Sequence, residues 1–136
     1  MITEATTHDE LEGVANFATK WGERGEEWSL PFSRIWFRDL WGRLLASGQG
    51  AVFYQPEGAI GVSVVNGFDG ELEAREEFWI GGDRGLLRAA EEWAVNHGAL
   101  RIMIGRPEGP HSSGLDRLHG RDGYRAIEQI FCKELV

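Results

Sequence analysis

Glu76-Glu77-Phe78-Trp79-Ile80-Gly81-Gly82-Asp83-Arg84-Gly85-Leu86-Leu87-Arg88 is the stretch whose reading decides the fold. It predicts a hydrophobic strand, a very short glycine turn and an immediate helix. A strand that enters a helix through glycines presents backbone N–H groups at the helix N-terminus, where the aligned peptide dipoles favour an anion. The turn from Gly81 to Gly85 is therefore the natural place to look for phosphate. Downstream, Asp83 can cap a helix whose apolar face is Leu86, Leu87, Ala90, Trp93, Ala94 and His97, closed by Gly98 in the left-handed conformation. Leu100 to Ile104 reads as a buried strand ended by Pro107. Gly105 to Gly114, with its glycines and prolines, reads as loop, Leu115 to Gly120 as a short helix, and Tyr124 to Leu135 as one long or two joined final strands.

Upstream, Gly50 to Gln55 and Ala59 to Val65 read as a hairpin about Pro56-Glu57-Gly58. Asn66 to Gly70 turns the chain into the strand Leu72 to Ile80. Ile2 to Ala5 reads as a first strand, and Thr6 to Asp9 supplies capping side chains for a helix carrying Leu11, Val14, Ala15 and Ala18. Trp21 and Trp28 flank an acidic, glycine-bearing link, either anchoring it to the core or lining a groove. Ser29-Leu30-Pro31 starts a helix that runs to about Ser47 with Gly48 as its stop. Its apolar side, Trp36, Phe37, Leu40, Trp41, Leu44 and Leu45, is wider than the roughly 100° stripe a surface helix needs. A subunit contact, an acceptor groove or deep wedging between neighbours would each account for that width. Antiparallel strands followed by strand, helix and strand imply an α/β fold with a mixed, mostly antiparallel sheet and helices on both faces.

The composition limits the function. A chain of 136 residues with 42% hydrophobic content is expected to form a single domain, 1–136, with its own core. The net charge of −8 argues against nucleic acid or anionic lipid as partners. The single cysteine, Cys132, has no partner for a disulfide, and His8, His97, His111 and His119 show no metal spacing, so no metal is expected. With no long apolar run and a polar start, the chain reads as soluble and cytoplasmic.

The element order, Glu76-Glu77 before Phe78-Trp79, the helix Arg84-Gly85 through Glu91-Glu92-Trp93-Ala94, and the ending Gly123-Tyr124-Arg125 through Lys133-Glu134-Leu135 resemble the GNAT family of acyl-CoA-dependent N-acetyltransferases. Within it, they look like the short GNAT-like proteins of tailed bacteriophages, which would place the chain in a host cytoplasm or a virion. The resemblance implies acetyl-CoA as co-substrate. Its pyrophosphate would lie on the turn Gly81, Gly82, Asp83, Arg84 and Gly85, and its pantetheine arm where the strands Leu72 to Ile80 and Leu100 to Ile104 part. Backbone N–H near Ile80 would stabilise the oxyanion as a small-molecule or peptide amine attacks the thioester. Glu76 or Glu77 would be the base; strand alternation lets only one of them face the cleft, and an ion pair with Arg75 or Arg88 is the structural alternative. His119, standing where many members carry a tyrosine, would be the acid.

Two departures from the family pattern open a second reading. The turn, with Asp83 putting a negative charge where pyrophosphate would sit, is shorter than the family's Arg/Gln-x-x-Gly-x-Gly/Ala loop, and His119 stands where many members carry the acid tyrosine. Such a chain could instead be a catalytically degenerate GNAT-fold protein. It would then act as a structural or interaction component of a phage particle or against a host factor, through a homo-oligomer or partner contact on the aromatic 31–47 helix.

Overall fold

The structure is a computed structural model that describes residues 1–23, 33–106, 111–131, 133 and 135. They fall into two compact units, 1–105 and 106–136.

The first unit is built on a five-stranded sheet in the order β1-β2-β3-β4-β5, where β1 is Thr3–Glu4, β2 Gly50–Gln55, β3 Gly58–Asn66, β4 Leu72–Gly81 and β5 Arg101–Met103. The first four strands are antiparallel and β5 runs parallel to β4. A parallel neighbour needs a crossover, and α3 (Arg84–Asn96) supplies it. One face of the sheet carries Val52, Ala59 and Ile80, which pack with Leu11, Val14, Ala15 and Ala18 of α1 (His8–Glu23) and with Phe37 and Trp41 of α2 (Arg34–Ser47). Alternation places Ala51, Phe53, Ile60, Val62 and Ala74 on the other face, against which α3 sets Leu86, Leu87, Ala90, Trp93 and Ala94. Mixed pairing with helices on both faces is thus observed, as expected.

The helix ends follow from their caps. Thr7 accepts from the N–H of Glu10, whose carboxylate receives the Thr6 N–H and the Thr7 hydroxyl, a reciprocal capping box. Ser33 caps α2, and Gly48, at φ 73°, ends it. The expected start at Ser29-Leu30-Pro31 and the placement of Trp28 lie outside the described residues. Of the broad aromatic face, Phe37 and Trp41 are buried, whereas Trp36 is 63% exposed.

At the sheet edge, Arg101 pairs with both Asp69 and Glu73, and Glu73 also pairs with Arg75, clamping β5 to the start of β4. Arg75 is thus engaged with Glu73. Glu73 is nearly buried, so its two guanidinium partners offset the desolvation of its charge.

The second unit holds α4 (Ser112–Arg121), longer than the short helix expected, with Arg106 paired to Asp116. The expected final strand is absent among the described residues: 124–131 form no ladder, and Ile127, Ile130 and Phe131 are exposed. β-propensity measures a fit to a half-buried pleated surface, and without a partner strand it produces none.

Candidate functional site

β4 is the strand on which the candidate site is built. Its pairing with β5 covers only Glu73, Ala74 and Arg75, opposite Arg101, Ile102 and Met103. β4 then continues to Gly81, so from Glu76 onward its outer edge has no strand partner among the described residues. The pairing of β4 with β5 thus ends at Arg75, and the parting of these strands that the resemblance implies starts at Glu76.

A β-bulge lies at the same point. Gly61 pairs with Phe78 and Val62 with Glu76, which leaves Glu77 as an extra residue in β4. Bulges re-aim side chains and interrupt pairing, and they are frequent beside active sites. This one has a packing cause. The Phe78 ring packs edge-to-face with Phe37 and Trp41, with centroids 5.3 and 5.4 Å away, and the space it fills exists only because Gly61 has no Cβ. A Cβ there would overlap the Phe78 ring and come within 2.7 Å of the Trp41 indole. The sequence reading missed the bulge, although a glycine inside the strand Ala59 to Val65 is the signal that marks one.

The bulge separates the two glutamates. Glu77 is exposed and accepts the Ser63 hydroxyl at 2.7 Å. Glu76 shares its register with Val62, on the face that α3 covers, and is half-buried. Burial pushes its carboxyl up to about 7, with repulsion from Glu77 adding to the rise and a hydrogen bond from the Gly105 N–H working against it. Neither glutamate takes the Arg75 ion pair, which goes to Glu73. A carboxyl at the parting of two strands that changes protonation near neutrality is equipped to exchange a proton with a bound amine.

That rise has a measurable cost in stability. The folded group holds its proton up to about 7, against 4.5 for an unperturbed glutamate. The neutral acid is buried without penalty at pH 4, and the penalty grows as pH rises from the unfolded to the folded value. Glu76→Gln is therefore expected to match the wild type in urea stability at pH 4. At pH 8 it should exceed it by about 2 kcal/mol, after allowance for partial exposure. An equal difference at both pH values would refute a desolvated Glu76.

The turn after β4 is differently disposed. Gly81 and Gly82 have φ of 58° and 71°, a conformation that favours glycine. Asp83 caps α3 by accepting the Gly85 N–H at 2.7 Å, and its own N–H donates to the Gln55 side-chain oxygen at 3.0 Å. The Gln55 amide returns a hydrogen bond to the Asp83 carboxylate. Those bonds, with Gln55 first and the Gly85 N–H second, lower the Asp83 carboxyl below its ordinary value. Trp79 Nε1 donates to the Gly81 carbonyl, the Arg84 guanidinium lies 5.8 Å from the centre of the Trp79 ring, and Ile80 is buried opposite Ala59. A diphosphate does not fit the turn as it stands, because two of its N–H groups are spent on Asp83 and Gln55 and a carboxylate occupies the helix terminus.

Glu76, Glu77 and the residues Ile80 to Gly85 thus come together on one strand and its connection. His119 lies in the second unit, where it is half-buried, packs edge-on against Tyr124 at 6.0 Å and accepts the Tyr124 N–H at its carbonyl. Among the described residues there is no cluster of metal-ligating side chains, and no helix is long and apolar enough to cross a membrane.

The chain matches no known family model and no curated protein sequence. Among solved structures it is similar to a putative acetyl transferase from Pyrococcus furiosus, at 19% identity and a TM-score of 0.67, over 99% of this chain and 100% of that one. It is likewise similar to AAC(6′)-Iy in complex with the bisubstrate analogue CoA-S-monomethyl-acetylneamine, at 15% identity and a TM-score of 0.68, over 98% and 97% of the two chains. A transcriptional regulator from Bacillus halodurans also matches, at 17% identity and a TM-score of 0.71, over 99% of each chain. Likeness at such identity speaks for architecture alone. The chain has a GNAT-like α/β fold, with its candidate site where β4 leaves β5.

Proposed function

We propose that the chain is an N-acyltransferase that moves an acyl group from a thioester of the acyl-CoA class to a primary amine. The observation that carries this reading is Glu76, a half-buried carboxyl at the bulge of β4 where the pairing with β5 stops. Above neutral pH the Glu76 carboxylate accepts a proton from the attacking ammonium group, directly or through water. As the amine nitrogen bonds to the thioester carbonyl, the carbon–sulfur bond breaks and the thiolate leaves to be protonated. Several of the fold's neighbours are acetyltransferases, and one neighbour is bound to a CoA-based analogue, which supports the reaction class.

The test is amine-dependent release of thiol from acetyl-CoA and from acetyl-pantetheine, run across a panel of aliphatic, aminosugar and peptide amines. Release that saturates with at least one amine is the expected result. No amine-dependent release from either donor would overturn the reading.

A second reading is favoured by the occupied turn: a protein that keeps the fold without donor binding and acts through a contact surface. The exposed Ile35 and Trp36 at the start of α2 are its natural contact residues. On that reading Trp36→Glu lowers the sedimentation coefficient of an oligomer while thiol release is absent throughout.

A further inference from the structure

We infer that the 81–85 turn holds no diphosphate, and that the nucleotide end of a thioester donor therefore adds nothing to its binding. The inference rests on the proposed acyl transfer only in taking the donor to be a thioester; the statement about the turn stands on its own geometry.

Two independent observations carry it. First, three donors at the start of α3 are already used: the Gly85 N–H by the Asp83 carboxylate, the Leu86 N–H by the Asp83 carbonyl at 3.2 Å, and the Asp83 N–H by Gln55. Binding a diphosphate would break these bonds and bring two like charges together. Second, the glycines of the turn do not open onto free space. The position a Cβ would take on Gly81 is filled by the Glu57 carbonyl, with the Trp21 indole at 3.2 Å. That on Gly82 is met by the Leu86 side chain at 2.5 Å and the Gln55 side-chain oxygen at 2.6 Å. Gly58, in turn, is required by the backbone of Gly82. The turn's glycines therefore serve the close approach of the β2–β3 hairpin, whereas phosphate-binding glycines leave their backbone bare for the ligand. The oxygens of Glu57, Gln55 and Asp83 crowd the place where an anion would need donors.

What remains for a donor is the outer edge of β4 from Glu76 to Gly81, which has no strand partner among the described residues and whose backbone groups suit the amides of a pantetheine-type arm. A thioester bound there is recognised by its arm and acyl group, and removal of its nucleotide changes little.

The experiment is titration of the wild-type chain with ADP, CoA and pantetheine, followed by calorimetry and by the fluorescence of its tryptophans, Trp79 among them. ADP is expected to give no signal at millimolar concentration, and CoA and pantetheine are expected to bind within about threefold of each other. CoA binding tighter than pantetheine by about tenfold or more, with ADP as a competitor, would overturn the inference. If ADP and both thiols fail to bind, the inference about the turn holds and the acyl-transfer reading falls, so the two failures are distinguishable.

Discussion

Glu76→Gln is expected to lower kcat for acyl transfer by about 100-fold or more, within the range that general-base catalysis contributes. Glutamine keeps the shape of the side chain and loses only its ability to take a proton, so KM for the thioester should change little. The pH profile separates this from a structural role. Burial and the neighbouring Glu77 hold the Glu76 carboxyl up to about 7, so the wild-type rate should climb as pH rises through that value and level off above it. The Glu76→Gln variant should lose that limb. Glu77→Gln removes one of the two causes of the rise, so the limb should move to lower pH while most of the rate is kept. An unaltered rate and profile in Glu76→Gln would remove Glu76 from the chemistry and leave its raised carboxyl as a consequence of packing alone.

Gly61→Val should destabilise the fold by about 3 kcal/mol, at the upper end of what overpacking costs. The added carbons would enter the space held by the Phe78 ring and the Trp41 indole, where α2 meets the sheet. Phe78 is the residue just after the bulge, so its displacement should also misplace Glu76 and lower the rate at temperatures where the variant is still folded. Combining Gly61→Val with Phe78→Leu should recover part of the loss, because the two residues compete for one volume and their effects are not additive. Urea midpoints for the two single variants and the double variant measure this coupling. Simple additivity would show that Gly61 is held by something other than the Phe78 ring.

Much of the fold was legible along the chain because its signals are local. Asp83 as a cap, Gly48 and Gly98 as left-handed stops, the Pro56-Glu57-Gly58 turn and the apolar periodicity of α3 each act within a few residues. The order of elements then left few topologies. The segment 124–135 is the counterexample: its β-branched and aromatic residues are strand-like, but a strand is a property of two segments, and 124–131 have no pairing partner among the described residues. The breadth of the α2 apolar face likewise did not reveal which residues are buried. Phe37 and Trp41 meet Phe78, while Trp36 faces solvent.

For the candidate site the division is sharper. Residue order alone singled out the glycine turn, since a strand that runs into a helix through glycines is visible in one dimension, and the resemblance to the GNAT family pointed to Glu76 and Glu77. Choosing between the two glutamates required the bulge, which depends on a glycine in β3 fitting a phenylalanine in β4 and on an indole from α2 closing over both. The raised carboxyl of Glu76 depends on how much water the packed chain removes, a quantity no spacing encodes. The turn that first suggested phosphate is closed by Gln55 and Glu57, far from it in the chain and brought against it by the β2–β3 hairpin. Local chemistry named the groups able to act; long-range packing decided which of them is desolvated and which N–H groups are already spent.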